Sequence, residues 1–114
     1  MKFKEEDTWE LPESEQYEFS EKQHKYCVCI FVINEGEKLH QQLKNMKYLS
    51  KEIDIIIADG GSTDGSMDHE KLKGFDVNTL LVKKSIGKLG TQMRMAYAWA
   101  LKRGYEGVVV SDGN

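Results

Sequence analysis

The sequence predicts an α/β domain built on a mainly parallel sheet. Short β-branched apolar runs alternate with stretches of helical periodicity, the pattern of strands joined by crossover helices. Two of the runs, Ile53–Ala58 and Val108–Ser111, lead into an acidic residue and a glycine. In a parallel sheet that places Asp59 and Asp112 at carboxyl strand ends, where such sheets bind ligands.

The elements follow in order. Residues 1–24 are polar and acid-rich, with Trp9, Leu11, Tyr17 and Phe19 as their large apolar groups and Pro12 as a break. They read as an arm, with at most a short helix, whose aromatics lie on the domain. Tyr26–Ile33 is nearly all apolar, which suits a strand buried on both faces. Leu39, Leu43, Met46 and Leu49 recur at helical spacing, so Glu37–Leu49 reads as an amphipathic helix. Ile53–Ala58 is the second strand. Ser62 or Thr63 is expected to cap a helix from about Asp64 to Lys73, closed by Gly74. Val77–Val82 is the third strand. Leu89, Met93, Ala96, Tyr97, Ala100 and Leu101 mark a third helix, which ends before Gly104, and Val108–Ser111 is the fourth strand. Right-handed crossovers give a Rossmann-like three-layer α/β/α arrangement with sheet order 3-2-1-4 and a switch point between strands 1 and 4.

Composition narrows the function classes. The chain has 114 residues, 31% of them charged, and a net charge of -3. That is one domain or a piece of one, and not a nucleic-acid binder relying on a strongly basic surface. No apolar run approaches the ~20 residues of a transmembrane helix. Met1–Asp7 has no apolar segment after its basic residues, so a secretory signal is not expected and the cytoplasm is. Cys27 and Cys29 read as reduced core residues, expected on opposite faces of their strand.

The candidate site gathers at the carboxyl edge. Asn34 and Glu35, Asp59 and Asp112 follow the ends of strands 1, 2 and 4. Strands 2 and 4 flank strand 1, which separates Asp59 from Asp112 by roughly 10 Å from strand spacing, about the span of a nucleoside with a diphosphate. One carboxylate could accept hydrogen bonds from a base or ribose, and the other could hold Mg²⁺ or Mn²⁺ on hard oxygen ligands. Lys88, at a helix start near the same crevice, suits a diphosphate. Arg94, one turn on, either reaches the site or is solvated. Asp64 reads as a cap or turn former, and His24, His40 and His69 as ordinary surface residues. Gly60-Gly61-Ser62-Thr63-Asp64-Gly65 lacks the dinucleotide spacing, and Gly87-Lys88-Leu89-Gly90 lacks that of a phosphate loop.

Taken together, these motifs resemble family 2 glycosyltransferases of the GT-A fold, the group that includes dolichol-phosphate mannose synthases. That family's first strand usually ends in Pro-x-Tyr-Asn-Glu, and Phe31-Val32-Ile33-Asn34-Glu35 stands there. Its second ends in Asp-Asp-Gly-Ser-Thr-Asp-Gly, close to Asp59-Gly60-Gly61-Ser62-Thr63-Asp64-Gly65. Its Gly-Lys-Gly-like helix start resembles Gly87-Lys88-Leu89-Gly90, and Asp112-Gly113-Asn114 occupies the place of its metal-binding Asp-x-Asp. The resemblance runs from about Tyr26 to the last residue. Phe31, Ile33, Gly60 and Asn114 depart from the usual proline, tyrosine, second acid and final aspartate.

The resemblance implies that Asn34, Glu35 and Asp59 contact the nucleoside of a nucleoside-diphosphate sugar. Lys88 would approach the base or diphosphate and Asp112 the ribose or metal, with Asp112 and Asn114 as ligands of a divalent cation. The implied activity is inverting sugar transfer to an acceptor hydroxyl. The family's acceptor site and general base lie beyond residue 114. Residues 25–114 are therefore expected to be the nucleotide-sugar-binding half of a truncated GT-A domain, with no catalytic residue inside it and no turnover alone. Homodimerisation through the sheet edge at strand 4 is expected as well. The rival readings are a stand-alone nucleotide-binding or interaction module and a sugar-phosphate nucleotidyltransferase. The latter usually has a basic Gly-rich loop where Asn34-Glu35-Gly36-Glu37 is acidic.

Overall fold

The computed structural model describes residues 14–84 and 89–112, with the main chain alone at 89–91 and 112. Five strands form one sheet: β1 (Ser14–Glu18), β2 (Tyr26–Val32), β3 (Asp54–Asp59), β4 (Thr79–Lys83) and β5 (Gly107–Asp112). Three α-helices connect them, α1 (Gly36–Met46), α2 (His69–Gly74) and α3 (Leu89–Lys102), and a 3₁₀ turn over Lys47–Lys51 extends α1. The sheet order is β1-β4-β3-β2-β5.

β4, β3, β2 and β5 are parallel, and β1 runs antiparallel on β4, from Ser14 opposite Lys83 to Glu18 opposite Thr79. The sheet is thus mixed and five-stranded, where a mainly parallel one of four strands was expected. The additional strand comes from the segment read as an arm. Its residues, Ser-Glu-Gln-Tyr-Glu, have little apolar character, so the backbone ladder offered by β4 decides their conformation. Tyr17 and Phe19 then reach the core beside β4, and His69 of α2 lies against both rings at 4.4 and 5.4 Å.

Period-two alternation divides the central strands between two cores. Val28, Ile30, Val32, Ile55 and Ile57 face α1 and α2 through Leu39, Leu43 and Leu72. Cys27, Cys29, Phe31, Ile56, Ala58 and Leu81 face α3 through Met95, Ala96, Trp99 and Ala100. All six residues of β3 are buried, as a strand covered on both faces requires. α1 and α2 return the chain from β2 to β3 to β4 on one face, and α3 carries it back across the other to β5. That change of direction falls between β2 and β5, and in sheets of this kind ligands bind at the carboxyl edge beside such a point.

Two local expectations are corrected. Cys27 and Cys29 lie on the same face, as residues two apart on a strand must, and both are free thiols. The second helix is shorter than expected and begins at His69. Its N-cap is Asp68, whose carboxylate accepts the Lys71 amide N–H at 3.1 Å. A helix cannot start at Asp64, because Gly65 has φ +80° and left-handed backbone does not continue a right-handed helix. Among the described residues no helix is long and apolar enough to cross a membrane.

Candidate functional site

The loops after β2 and β3 are built as one unit. Asn34 adopts φ +49°, a conformation asparagine tolerates better than most residues. Its amide N–H donates to Ser62 Oγ at 2.8 Å, and its Oδ1 accepts the Thr63 amide N–H at 2.8 Å. The Gly60 amide N–H donates to the Val32 carbonyl at 2.8 Å. Two residues on, the Gly36 amide N–H donates to Asp64 Oδ2 at 3.2 Å. Because Gly36 opens α1, Asp64 places its charge on that helix's positive end, a favourable position for an anion. Asp64 therefore does cap a helix, but the one before it in the chain.

Ser66 completes the unit. Its amide N–H and hydroxyl both donate to Asp64 Oδ1, and its carbonyl is 2.8 Å from His40 Nε2 on α1. A Cβ on Gly36 would stand 2.2 Å from the Ser66 Cβ, so glycine alone lets the two loops approach. On the opposite face the buried Gln92 of α3 donates from Nε2 to the Ala58 carbonyl at 3.0 Å. That side chain fills the space beside Gly60.

The expected site residues are distributed as follows. Asn34 and Asp59 belong to the same hydrogen-bonded unit. Glu35 is half-buried at the N-cap of α1. Asp59 ends β3 opposite Val32 of β2, and Asp112 ends β5 opposite Phe31 of the same strand. Their main chains therefore flank β2 on its two sides. Lys88 and Asn114 lie outside the described residues, and Asp112 is described by its main chain alone. Arg94 is exposed on α3. Among the described residues no three His, Cys, Asp or Glu side chains are grouped to hold a metal ion.

Asp59 is not an open carboxylate. It is 1% exposed. The Ser62 hydroxyl donates to its Oδ1 at 2.6 Å, and the Ser62 amide N–H reaches both oxygens at 3.1 and 3.0 Å. The residue holds the glycine turn that follows it. Two residues that the motifs did not single out also shape this edge. Gln92 looks like an ordinary helix residue in sequence, and Lys83 looks like a polar strand end, yet both are buried here.

The two acids of the loop are expected to titrate apart. Burial raises the Asp59 carboxyl above its ordinary 3.8, against the lowering influence of Ser62. The Ser66 hydroxyl, then its amide, hold Asp64 below the same value. A raised carboxyl binds its proton more tightly in the folded chain, so Asp59 lowers stability as pH rises from 3.8 through its folded value. Asp64 does the reverse. Its contribution is complete above 3.8 and is lost as pH falls through its lowered folded value. Carboxyl ¹³C titration by NMR should give Asp59 the higher midpoint, and the opposite order would contradict this assignment.

Comparison with protein-family models, curated proteins and solved structures finds no match to this chain.

Proposed function

We propose that this chain binds a nucleoside-diphosphate sugar at the carboxyl edge of its sheet, as the nucleotide-sugar-binding half of an inverting, family 2-like glycosyltransferase with a Rossmann-like GT-A domain. One observation carries the reading: the loops after β2 and β3, which hold the resembling motifs, are joined by Asn34, Ser62 and Thr63 into one hydrogen-bonded unit beside the switch point. A prearranged loop pair at that position is what a nucleotide site needs. In this reading Asn34 and Glu35 flank the nucleoside, Lys88 approaches the diphosphate, and Asp112 serves the ribose. Asp59 acts by holding the Gly60–Ser62 turn. In this reading Asp112 and Asn114 would hold a divalent cation, Mg²⁺ or Mn²⁺, which would neutralise the leaving diphosphate.

The parent reaction would be displacement of a nucleoside diphosphate from the anomeric carbon by an acceptor hydroxyl. The same reading puts the chain in the cytoplasm. Self-association through β5 belongs to it too, supported by the exposure of Val109 and Val110 on that edge strand.

Calorimetric titration with uridine and guanosine diphosphates tests the proposal. Asp59→Ala is expected to weaken binding roughly tenfold by releasing the Gly60–Ser62 turn, which its carboxylate holds through Ser62. Asn34→Ala should do so to a similar degree, because it removes the acceptor of the Thr63 amide. Equal affinities in wild type and both variants would exclude these loops from the site.

A further inference from the structure

The turn after β3 is gripped at its root by α3. Gln92, in the first turn of that helix, is 7% exposed. Its Nε2 donates to the Ala58 carbonyl at 3.0 Å and approaches the Val32 carbonyl at 3.4 Å. Ala58 and Val32 stand at the carboxyl ends of the neighbouring parallel strands β3 and β2. Two carbonyl oxygens that meet at one point need a donor with two protons on one atom. A carboxamide nitrogen supplies them, whereas a carboxylate or a hydroxyl does not.

The same Val32 carbonyl accepts the Gly60 amide N–H at 2.8 Å. Gln92 and Gly60 thus converge on one acceptor, and they also touch. The Gln92 Cδ, Oε1 and Nε2 lie 3.1, 3.1 and 3.3 Å from where a Cβ on residue 60 would be. The carboxamide therefore occupies the room that a side chain at residue 60 would take. Asp59, which holds Ser62, lies between the two anchored residues Ala58 and Gly60. Gln92 itself rides on a packed element, because Met95, Ala96 and Trp99 bury α3 against the sheet. A packed helix holds a site more precisely than a loop does.

We propose that Gln92 is a positioning residue of the nucleotide site. It sets the Gly60–Ser62 turn from α3 and acts through that turn, without touching the ligand. Its hold on the turn rests on the contacts above, and the turn's service to a nucleotide rests on the function proposed for this edge.

The test compares the full chain in wild type, Gln92→Leu, Gly60→Ala and Tyr105→Phe. Gln92→Leu keeps the bulk and removes the donors. Gly60→Ala keeps every donor and crowds the carboxamide from the turn, so it carries the test where Gln92→Leu does not fold. Tyr105→Phe loses a buried bond to Asp54 at the other end of β3 and controls for lost stability alone. Amide hydrogen exchange is read without ligand, and uridine diphosphate affinity is read by calorimetry. Gln92→Leu and Gly60→Ala should each speed exchange of the Gly60 amide and weaken uridine diphosphate binding roughly tenfold. Tyr105→Phe should do neither. Wild-type Gly60 exchange or wild-type affinity in both site variants, or an equal loss of affinity in Tyr105→Phe, overturns the proposal and leaves the nucleotide site standing. Faster Gly60 exchange in the variants, with no uridine diphosphate bound by wild type, would keep Gln92 as the residue that sets the turn and remove the nucleotide reading.

Discussion

Asp54→Ala is expected to lower folding stability by about 3 kcal/mol, the scale for removing a buried acceptor from several donors. Asp54 begins β3 with 3% exposure. Its Oδ2 accepts the Tyr105 hydroxyl at 2.6 Å, the Gln23 amide N–H at 3.0 Å and the His24 amide N–H at 3.4 Å. One carboxylate therefore joins the entry to β2, the start of β3 and the segment before β5. Burial, reinforced by Asp54, pushes the Tyr105 hydroxyl well above its ordinary pKa of 10.0, so it stays a donor throughout the working range. Asp54→Asn, which keeps a carbonyl acceptor, should lose less than Asp54→Ala. Tyr105→Phe should lose only about 1 kcal/mol for one bond. Urea denaturation measures all three, and an unchanged midpoint for Asp54→Ala would show that water replaces the carboxylate without penalty.

Gly36→Ala is expected to destabilise by about 3 kcal/mol, the upper end of overpacking costs. The new Cβ would stand 2.2 Å from Ser66 Cβ, and both neighbours are held by Asp64. The loops after β2 and β3 would have to separate, and Gly36 would lose its bond to that carboxylate. Ser66→Gly placed on the Gly36→Ala background should return part of the loss, although Ser66→Gly alone removes the hydroxyl donor to Asp64 and keeps the amide one. The non-additivity of the pair, read by a double-mutant cycle, is the measurement. Strict additivity would mean that the two residues do not compete for space.

Much of the fold is legible in the chain because it depends on local pattern. β2 and β3 are recognisable from apolar runs that need cover on both faces, and α1 from apolar spacing that fits one helical stripe. For α3 the extent is legible but not the face, since Met95, Ala96, Trp99 and Ala100 are buried while the expected Tyr97 and Leu101 are exposed. The order of the four parallel strands follows from short right-handed crossovers. The position of Asp59 and Asp112 at strand ends follows from the same runs. The cap of α2 is Asp68, outside the Ser62–Asp64 motif at which the cap was expected.

What the tertiary structure alone decided is which distant groups meet. Ser14–Glu18 is a strand because β4 has an edge to offer, and its own side chains do not announce it. Asp64 belongs to α1 because the loops after β2 and β3 touch, a contact across 28 residues that no local motif encodes. Asp59 turns onto Ser62, and Lys83 is largely covered although it ends its strand. A carboxylate or an ammonium reads the same in sequence whether it faces water or the core. Periodicity reports the face a residue takes, while only packing decides which partners fill that face, and the chemistry at the carboxyl edge depends on those partners.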